Sequence, residues 1–255
     1  MDLSIISPMY NEEENVAETV RRVGEALANF QGSWELVIVD DGSTDASRAK
    51  AEAIAAENPR VRVVGYTPHA GRGRALRAGF AAARGEIVVS VDFDLSYEPT
   101  HILRMYEALA AEGGPDVVLV SAYMPGGTSE GVPWTRLAAS KLGNRILRLA
   151  WPKRIYTSTC IVRGYRRRAL EQLAPKSDGK EIHLEILSQA FAKGLRVEEI
   201  PGHLRARTRG KSKARLGQAI RTHVAFLARQ RPGLAVAGVV AVLAVLGFVV
   251  LFVLR

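Results

Sequence analysis

The sequence predicts an α/β domain with a doubly wound, mainly parallel sheet, followed by one helix that crosses a membrane. Three observations support this prediction. Short β-branched runs alternate with helix-like stretches, acidic residues follow two of the runs, and the chain closes with a long uncharged segment. Such alternation is typical of parallel sheets with crossover helices. A chain of 255 residues, 47% of them hydrophobic, is long enough for one large domain and an appendage.

The strands come from runs rich in valine and isoleucine, at residues 3–7, 34–39, 61–65, 86–91 and 116–120. Helices are expected between them, at residues 12–30, 45–58, 71–84 and 99–112. The second and fourth strands are almost wholly apolar, as strands covered on both faces must be. Because ligands of such sheets bind at the carboxyl ends of the strands, we expect the site at Ser7-Pro8, Asp40-Asp41 and Asp92–Asp94.

Beyond residue 120 the regular alternation breaks. Residues 123–133 contain three glycines and two prolines, which indicates a long functional loop. Residues 135–151 then form an amphipathic helix with several arginines. Two interpretations of this helix stay open: it packs on the core as a surface helix, or it lies on a membrane interface. The basic stretch 216–231 is a second candidate for an interfacial helix.

Positive charge is concentrated at the end of the chain. The net charge is +9, yet the first 199 residues balance to −1, and no acidic residue follows Glu199. The basic tail leads into 21 residues without a charge, Leu234 to Leu254, which is long enough to cross a bilayer as a helix. A buried core helix seldom runs so long without a polar residue. We therefore expect the tail to face a membrane.

The basic residues lie before the uncharged run and only Arg255 follows it, so the positive-inside rule places the domain in the cytoplasm. No charged-then-apolar leader opens the sequence, and no signal peptide is expected. The single Cys160 agrees with a reducing compartment. The expected organisation is a cytosolic domain at 1–202, a basic acceptor-binding and interfacial segment at 203–232, and a single transmembrane helix at 233–255.

Asp92 and Asp94 follow an apolar strand and flank Phe93. Two carboxylates on one turn at the mouth of a sheet suit a hard divalent cation, which binds carboxylate and phosphate oxygens. A metal held there can neutralise the charge of a departing nucleotide diphosphate. A solvated turn or a helix N-cap before the next helix is the competing interpretation.

Three further motifs stand with this one: Pro8-Met-Tyr-Asn-Glu12 after the first strand, Asp40-Asp-Gly-Ser-Thr-Asp45 after the second, and Gly71-Arg-Gly-Arg-Ala-Leu76 at the third helix. In this order, over about residues 3–125, the motifs resemble those of the family-2 glycosyltransferases with the GT-A fold. The resemblance implies a GT-A sheet, a nucleotide-sugar donor and Mg²⁺ or Mn²⁺ as cofactor.

The resemblance also implies roles for single residues. The donor nucleotide is expected to contact Pro8, Tyr10, Glu12, Val39, Asp41, Arg72 and Phe93. Tyr10 would stack on or line the base, and Asp41 would accept hydrogen bonds from base or ribose. Gly71 and Gly73 would let an anion approach the helix start, where backbone amides and Arg72 favour it. The expected metal ligands are Asp92, Asp94 and Ser96.

The end of the domain narrows the resemblance. Arg207-Thr-Arg-Gly-Lys-Ser-Lys213 resembles the Arg-x-x-Gly-x-Ser-Lys element of the dolichol-phosphate mannosyltransferases and related polyprenyl-phosphate sugar synthases. There the element binds phosphate near the membrane, which implies acceptor contacts at Arg207, Ser212 and Lys213, with Lys180 as a further candidate. Arg207 joins Asp92 and Asp94 as a catalytic candidate. A basic cluster that only attracts anionic lipid is the alternative.

Three positions depart from the pattern of those enzymes: Ser96 replaces a glutamine, Ala122 an arginine and Thr157 an aspartate. An inactive, membrane-bound nucleotide-sugar-binding scaffold is therefore one rival hypothesis, and a glycosyltransferase with a non-lipid acceptor is another. A processive synthase is disfavoured by the lack of a Gln-x-x-Arg-Trp element, and nucleic-acid binding by the lack of aromatic residues among the basic ones. The donor sugar, the base, the metal and the oligomeric state stay open.

Overall fold

The computed structural model describes residues 1–206 and Phe226. The expected acceptor residues Arg207, Ser212 and Lys213 and the expected membrane span at 233–255 lie outside this part of the chain. Within residues 1–206, no helix has both the length and the apolar composition needed to cross a membrane.

A seven-stranded sheet forms the centre of the domain. Its strands are β1 (Leu3–Met9), β2 (Trp34–Asp40), β3 (Val61–Gly65), β4 (Ile87–Ser90), β5 (Val117–Ser121), β7 (Arg163–Arg166) and β8 (Val197–Pro201). Their order is β3-β2-β1-β4-β7-β5-β8, and only β7 runs antiparallel to its neighbours. A small second sheet pairs β6 (Thr128–Glu130) with β9 (His203–Arg205) in parallel.

The helices connect successive strands, as the alternating pattern predicts. They are α1 (Val16–Ala26), α2 (Ser47–Glu57), α3 (Arg72–Ala82), α4 (His101–Ala110), α5 (Trp134–Leu147), α6 (Arg167–Leu170) and α7 (Ile182–Ala192). A 3₁₀ turn at Arg148–Ala150 extends α5. Every residue of β2, β4 and β5 is buried, so the core lies on both faces of the sheet.

The predicted mainly parallel α/β architecture is confirmed, and all five predicted strands are present. Strand β7, which inserts between β4 and β5, is not among the strands predicted from the sequence. Two of its four residues are arginines, a composition that does not indicate a central strand. Arg163 is nevertheless fully buried there. The 123–133 segment is a loop, as predicted, except for β6.

Candidate active site

The candidate site lies at the carboxyl ends of three adjacent strands, β2, β1 and β4. Met9 pairs with Asp40 at one side of β1, and Ile6 pairs with Ser90 at the other, so the segments after these strands emerge together. This arrangement brings the motifs beginning at Tyr10, Asp41 and Asp92 to one edge of the sheet, as expected for a parallel α/β fold.

The Asp41 carboxylate is buried and accepts hydrogen bonds from the loop at residues 66–71. Its side chain is 4% exposed and accepts hydrogen bonds from the Tyr66 hydroxyl (2.8 Å) and from the backbone N–H groups of Ala70 (2.9 Å) and Gly71 (3.0 Å). Burial and this bond raise the pKa of Tyr66. The structure thus uses Asp41 to fix residues 66–71, whereas its predicted contact with base or ribose stays a prediction.

An aromatic platform lies beside this loop. The rings of Tyr10 and His69 stack with their centroids 3.9 Å apart and their planes at 19°. His69 Nδ1 lies 3.0 Å from the Asp41 carboxylate, so the loop that Asp41 organises also sets the platform. A stacked pair of planar rings at a strand end offers a face to a nucleobase. His69 was not predicted from the sequence, where nothing marks it beyond its place two residues before Gly71.

The turn after β4 carries the acidic pair. Asp94 Oδ1 accepts hydrogen bonds from the Ser96 backbone N–H (3.0 Å) and the Ser96 hydroxyl (2.8 Å). Leu95 adopts a left-handed φ of 49°, which is rare for a branched side chain and indicates a constrained turn. The carbonyl of Phe93 accepts the Thr19 hydroxyl at 2.6 Å from α1. Asp92 and Asp94 remain partly exposed on this fixed turn.

Cationic side chains face the acidic turn. Arg72 Nη2 lies 3.5 Å from Asp92 Oδ1. The pKa of Lys180 is lowered by partial burial and by the charges of Arg72 and Arg136, whereas the charge of Asp92 raises it. We call the space around Asp92, Asp94 and Arg72 the mouth of the site. Carboxylates and a guanidinium lie side by side there, a charge pattern that suits a metal-bound diphosphate.

The start of α3 differs from the predicted anion cradle. The backbone N–H groups of Gly73 (2.6 Å) and Arg74 (3.3 Å) donate to the carbonyl of Asp178. A Cβ on Gly71, whose φ is 110°, would lie 2.6 Å from the same oxygen. The two glycines therefore make room for the chain's own 177–179 segment, which occupies the position predicted for an anion. Arg72 alone keeps the predicted position in the mouth.

Asp92 and Asp94 fit a hard divalent cation. Both are carboxylates on one fixed turn, and Mg²⁺ is commonly held by one or two carboxylates together with substrate phosphates and water. In the described residues, no group of three or more His, Cys, Asp or Glu side chains forms a metal site on its own. Ser96, the third expected ligand, is already engaged as the partner of Asp94.

A buried layer lies beneath the acidic turn. Cys160 is 8% exposed. Burial raises its pKa to about 12, and the nearby Asp92 adds to this. Burial likewise raises the pKa of Tyr97, which hydrogen bonds to Cys160. The thiol thus stays protonated at neutral pH, which excludes it as a thiolate nucleophile.

Thr157, one of the departures from the family pattern, belongs to a closed polar cluster. Its hydroxyl lies 2.6 Å from that of Ser121, and its backbone N–H donates to Glu199 at 2.8 Å. The pKa of Glu199 is raised because the carboxyl is buried. The cluster joins Ser121 at the end of β5 to Glu199 in the middle of β8, and it supplies hydrogen-bond partners for Thr157 from within the protein.

The other residues expected to contact the donor nucleotide differ in their exposure. Pro8, Tyr10 and Glu12 lie partly exposed along the end of β1. Val39 is fully buried beneath α3, near Gly79, and Phe93 is 4% exposed. The side chains of Val39 and Phe93 therefore support the floor of the site and do not line its surface.

The segment that leads toward Arg207 is attached to the acidic turn. The Arg205 backbone N–H donates to the Ser96 carbonyl at 2.8 Å, and Leu204 forms a bridge with Tyr97. Arg205 also forms a salt bridge with Glu98. The last described residues before Arg207 are thus fixed within the site.

Comparisons with known proteins agree with this geometry. The model of glycosyl transferase family 2 matches residues 4–174. The chain is 36% identical over 216 residues to a polyprenol monophosphomannose synthase of Mycolicibacterium smegmatis, covering 82% of this chain and 79% of the relative. It is 34% identical over 216 residues to a dolichol-phosphate mannosyltransferase of Pyrococcus furiosus, covering 84% of this chain but only 59% of that longer relative.

Solved structures share the fold. A glucosyl-3-phosphoglycerate synthase from Mycobacterium tuberculosis, in complex with Mn²⁺, uridine diphosphate and phosphoglyceric acid, superposes with a TM-score of 0.69 at 22% identity. The superposition covers 90% of this chain and 78% of the other. The family match and the shared architecture lead to one conclusion: the chain belongs to glycosyltransferase family 2 and has the GT-A fold.

Proposed function

We propose that the protein transfers a hexose from a nucleotide diphosphate sugar to a polyprenyl phosphate at a membrane surface, with inversion and with Mg²⁺ or Mn²⁺. The observation that carries the proposal is the mouth in which the Asp92–Asp94 turn faces Arg72. Two relatives that are 36% and 34% identical bear names of polyprenol- and dolichol-phosphate mannose transfer, which supports the lipid acceptor. The proposed donor is a nucleotide sugar of the GDP-mannose or UDP-glucose type.

The donor is held at its two ends. The stacked rings of Tyr10 and His69 offer a planar surface to the base. Asp92 and Asp94 would hold the metal, which supplies neutralisation of the diphosphate charge when bound. Arg72 adds a guanidinium beside Asp92 and stabilises negative charge on the leaving nucleotide.

The acceptor needs positioning more than activation. A phosphate is anionic at neutral pH, so displacement at the anomeric carbon does not require a protein base to create the nucleophile. Arg207, Ser212 and Lys213 are the proposed phosphate ligands, with Lys180 as a further candidate. Arg205, two positions before Arg207 in the sequence, donates its backbone N–H to the Ser96 carbonyl in the acidic turn. This attachment supports an acceptor site beside the donor site.

The same proposal places the domain on the cytoplasmic face of a membrane, anchored by the uncharged run at 234–254. Helix α5 supports this orientation because it exposes 74% of Trp134 and, at its far end, 58% of Leu149. No acidic residue occurs between Glu130 and Glu171, so every charged side chain of α5 is positive. At the end of α5, the Trp151 ring contacts Phe226, the last described residue before the uncharged run, at 5.5 Å between centroids.

The test is transfer in membranes. Membranes that contain the full chain are incubated with polyprenyl phosphate and a panel of labelled nucleotide sugars, and the lipid extract is counted. The proposal expects one donor to give a lipid-extractable product that disappears with a chelator. Binding of donor without turnover would favour the inactive scaffold, and label confined to a water-soluble product would favour a non-lipid acceptor.

A further inference from the structure

The segment before α7 is inserted into the start of α3. Asp178 presents its carbonyl to the N–H groups of Gly73 (2.6 Å) and Arg74 (3.3 Å). Side chains at residues 71 and 73 would collide with this segment, since a Cβ on Gly73 would approach Asp178 C to 2.7 Å. The two glycines therefore act as a socket for residues 177–179.

Two charged side chains from two helices clamp the same segment. From α3, Arg77 donates to the carbonyls of Lys176 (2.8 Å) and Ser177 (2.5 Å) and pairs with the Asp178 carboxylate (2.6 Å). From α7, Glu185 accepts the N–H groups of Lys176 (2.9 Å) and Ser177 (2.9 Å). Both backbone faces of residues 176–177 are thus bonded to an ionised group. Such charge-assisted hydrogen bonds are about twice as strong as neutral ones.

Lys180 directly follows Gly179, whose Cα would lie 3.9 Å from a Cβ on Gly71 at the start of α3. The next residue of α3, Arg72, places its guanidinium 3.5 Å from the Asp92 carboxylate. The charges of Arg72, Arg136 and Asp92 all act on the Lys180 ammonium. Lys180 keeps solvent exposure at this position, although neighbouring groups cover part of its side chain. Two guanidinium groups and one ammonium act together here, and a phosphate group neutralises such a concentration of positive charge.

We propose that Lys180 binds a phosphate group of the substrates, and that Arg77 and Glu185 are positioning residues that set Lys180 by clamping residues 176–178. The inference rests on the proposed function, because it is the donor diphosphate or the lipid phosphate that enters this mouth. Arg77 and Glu185 touch neither substrate in this scheme. They affect binding only because they fix the position of the Lys180 ammonium.

The first test compares Lys180→Met with Lys176→Met in the full chain. Lys176 is exposed in the same segment and serves as the matched control. Calorimetry measures binding of GDP, UDP and the corresponding nucleosides, and transfer assays give the KM for polyprenyl phosphate. Loss of one charge-assisted contact predicts roughly tenfold weaker binding.

The result identifies the phosphate. Weaker diphosphate binding with unchanged nucleoside binding in Lys180→Met assigns the contact to the donor. A raised KM for polyprenyl phosphate alone assigns it to the acceptor. Equal behaviour of wild type, Lys180→Met and Lys176→Met in both assays would overturn the inference. Wild-type protein that binds nucleoside diphosphate but transfers nothing would contradict the proposed function alone.

The second test is a double-mutant cycle between Arg77→Ala and Lys180→Met. If Arg77 acts through Lys180, Arg77→Ala in the wild-type background weakens binding of the phosphate substrate identified in the first test about threefold to tenfold. In the Lys180→Met background, Arg77→Ala has no further effect on that binding. Arg77→Lys, which keeps a donor to the two carbonyls, restores part of the loss. Fully additive losses, or a fall in thermal stability without a change in affinity, would overturn the positioning role.

Discussion

Asp94 has two tasks at the scale of a single residue. Its Oδ1 holds Ser96 through two hydrogen bonds, and its carboxylate charge serves the proposed metal. Asp94→Asn separates them, because the amide oxygen still accepts from Ser96 while the charge is gone. We expect transfer to fall by about a hundredfold or more while the turn is kept.

The measurement is initial transfer rate with Mg²⁺ or Mn²⁺, beside the melting temperature of each protein. Glu57→Gln, on the exposed end of α2, is a matched loss of one carboxylate away from the site. Wild-type rates in Asp94→Asn would refute the metal role, whereas a large fall in melting temperature would show that Asp94 acts on the fold.

Gly42 is the residue that lets the Asp41 loop close. Its φ is 71°, and a Cβ there would lie 2.6 Å from the His69 backbone nitrogen. We expect Gly42→Ala to reduce the free energy of unfolding by about 2–4 kcal/mol, since both backbone strain and a steric clash contribute.

Gly113 provides the control for this substitution, because its φ of 64° is similar but a Cβ there meets nothing within 4 Å. Gly113→Ala isolates the backbone strain and is expected to cost about 1–2 kcal/mol. Denaturant unfolding of the two variants measures the difference. Equal losses would mean that the contact with His69 is unimportant.

At the scale of elements, the alternating pattern predicted the parallel strands and their crossover helices, because burial on both faces requires continuous apolar runs. Strand β7 was missed because its burial depends on partners distant in sequence. The Arg163 guanidinium donates to the carbonyls of Cys160 (2.7 Å), His183 (2.9 Å) and Ser158 (2.6 Å). A sequence indicates the arginine but not the three carbonyls that allow its burial.

For the site, the sequence predicted which residues gather at the strand ends but not the contacts that they make. Strand ends and motif order placed Asp92, Asp94, Tyr10 and Asp41 at one edge. The socket at Gly71 and Gly73 was interpreted as an anion cradle, because a glycine-flanked helix start has the same local signature whether an anion or a peptide carbonyl meets its amides.

Helix α4 and strand β9 are joined through His101. Its Nε2 accepts the His203 backbone N–H at 3.0 Å. Burial lowers its pKa to about 4, as do the charges of Arg104 and His203, while Glu98 opposes them. The unfolded pKa is about 6.5, so the associated stability is fully present above about pH 6.5 and is lost as the pH falls toward about 4.

We therefore expect the free energy of unfolding to fall less steeply between pH 7 and 4 in His101→Gln than in the wild type, because glutamine does not titrate and its side-chain oxygen can accept the His203 N–H. Urea unfolding at several pH values measures the difference between the two proteins. Contributions from His183, whose pKa burial also lowers, cancel in this difference. Parallel pH profiles would contradict the assignment to His101.

At the scale of the whole molecule, the proposed orientation places α5 against the membrane. Trp34 and Trp151 are 7% and 8% exposed, so Trp134 at 74% is the accessible tryptophan of the described residues. Tryptophan at a bilayer interface is quenched by brominated lipids. In nanodiscs of brominated and anionic lipid, we expect such quenching in the full-length wild type and its loss in Trp134→Phe.

Quenching by aqueous acrylamide serves as the control, because it reports the exposure of Trp134 to water and should be weaker in nanodiscs than in detergent. Equal acrylamide quenching in nanodiscs and in detergent, without bromolipid quenching, would place α5 away from the membrane. Transfer activity measured on the same samples separates an error in orientation from an error in function.

The central claim is that the acceptor is a lipid phosphate. The most direct measurement is kcat/KM of the full chain for polyprenyl phosphate and for a soluble phosphorylated acceptor, phosphoglyceric acid, with the same labelled donor and metal. We expect a lipid-linked hexose of inverted anomeric configuration. We also expect kcat/KM to be at least about a hundredfold higher for the lipid than for the soluble acceptor, equivalent to a difference of about 2.7 kcal/mol. Equal or greater efficiency with the soluble acceptor would contradict it.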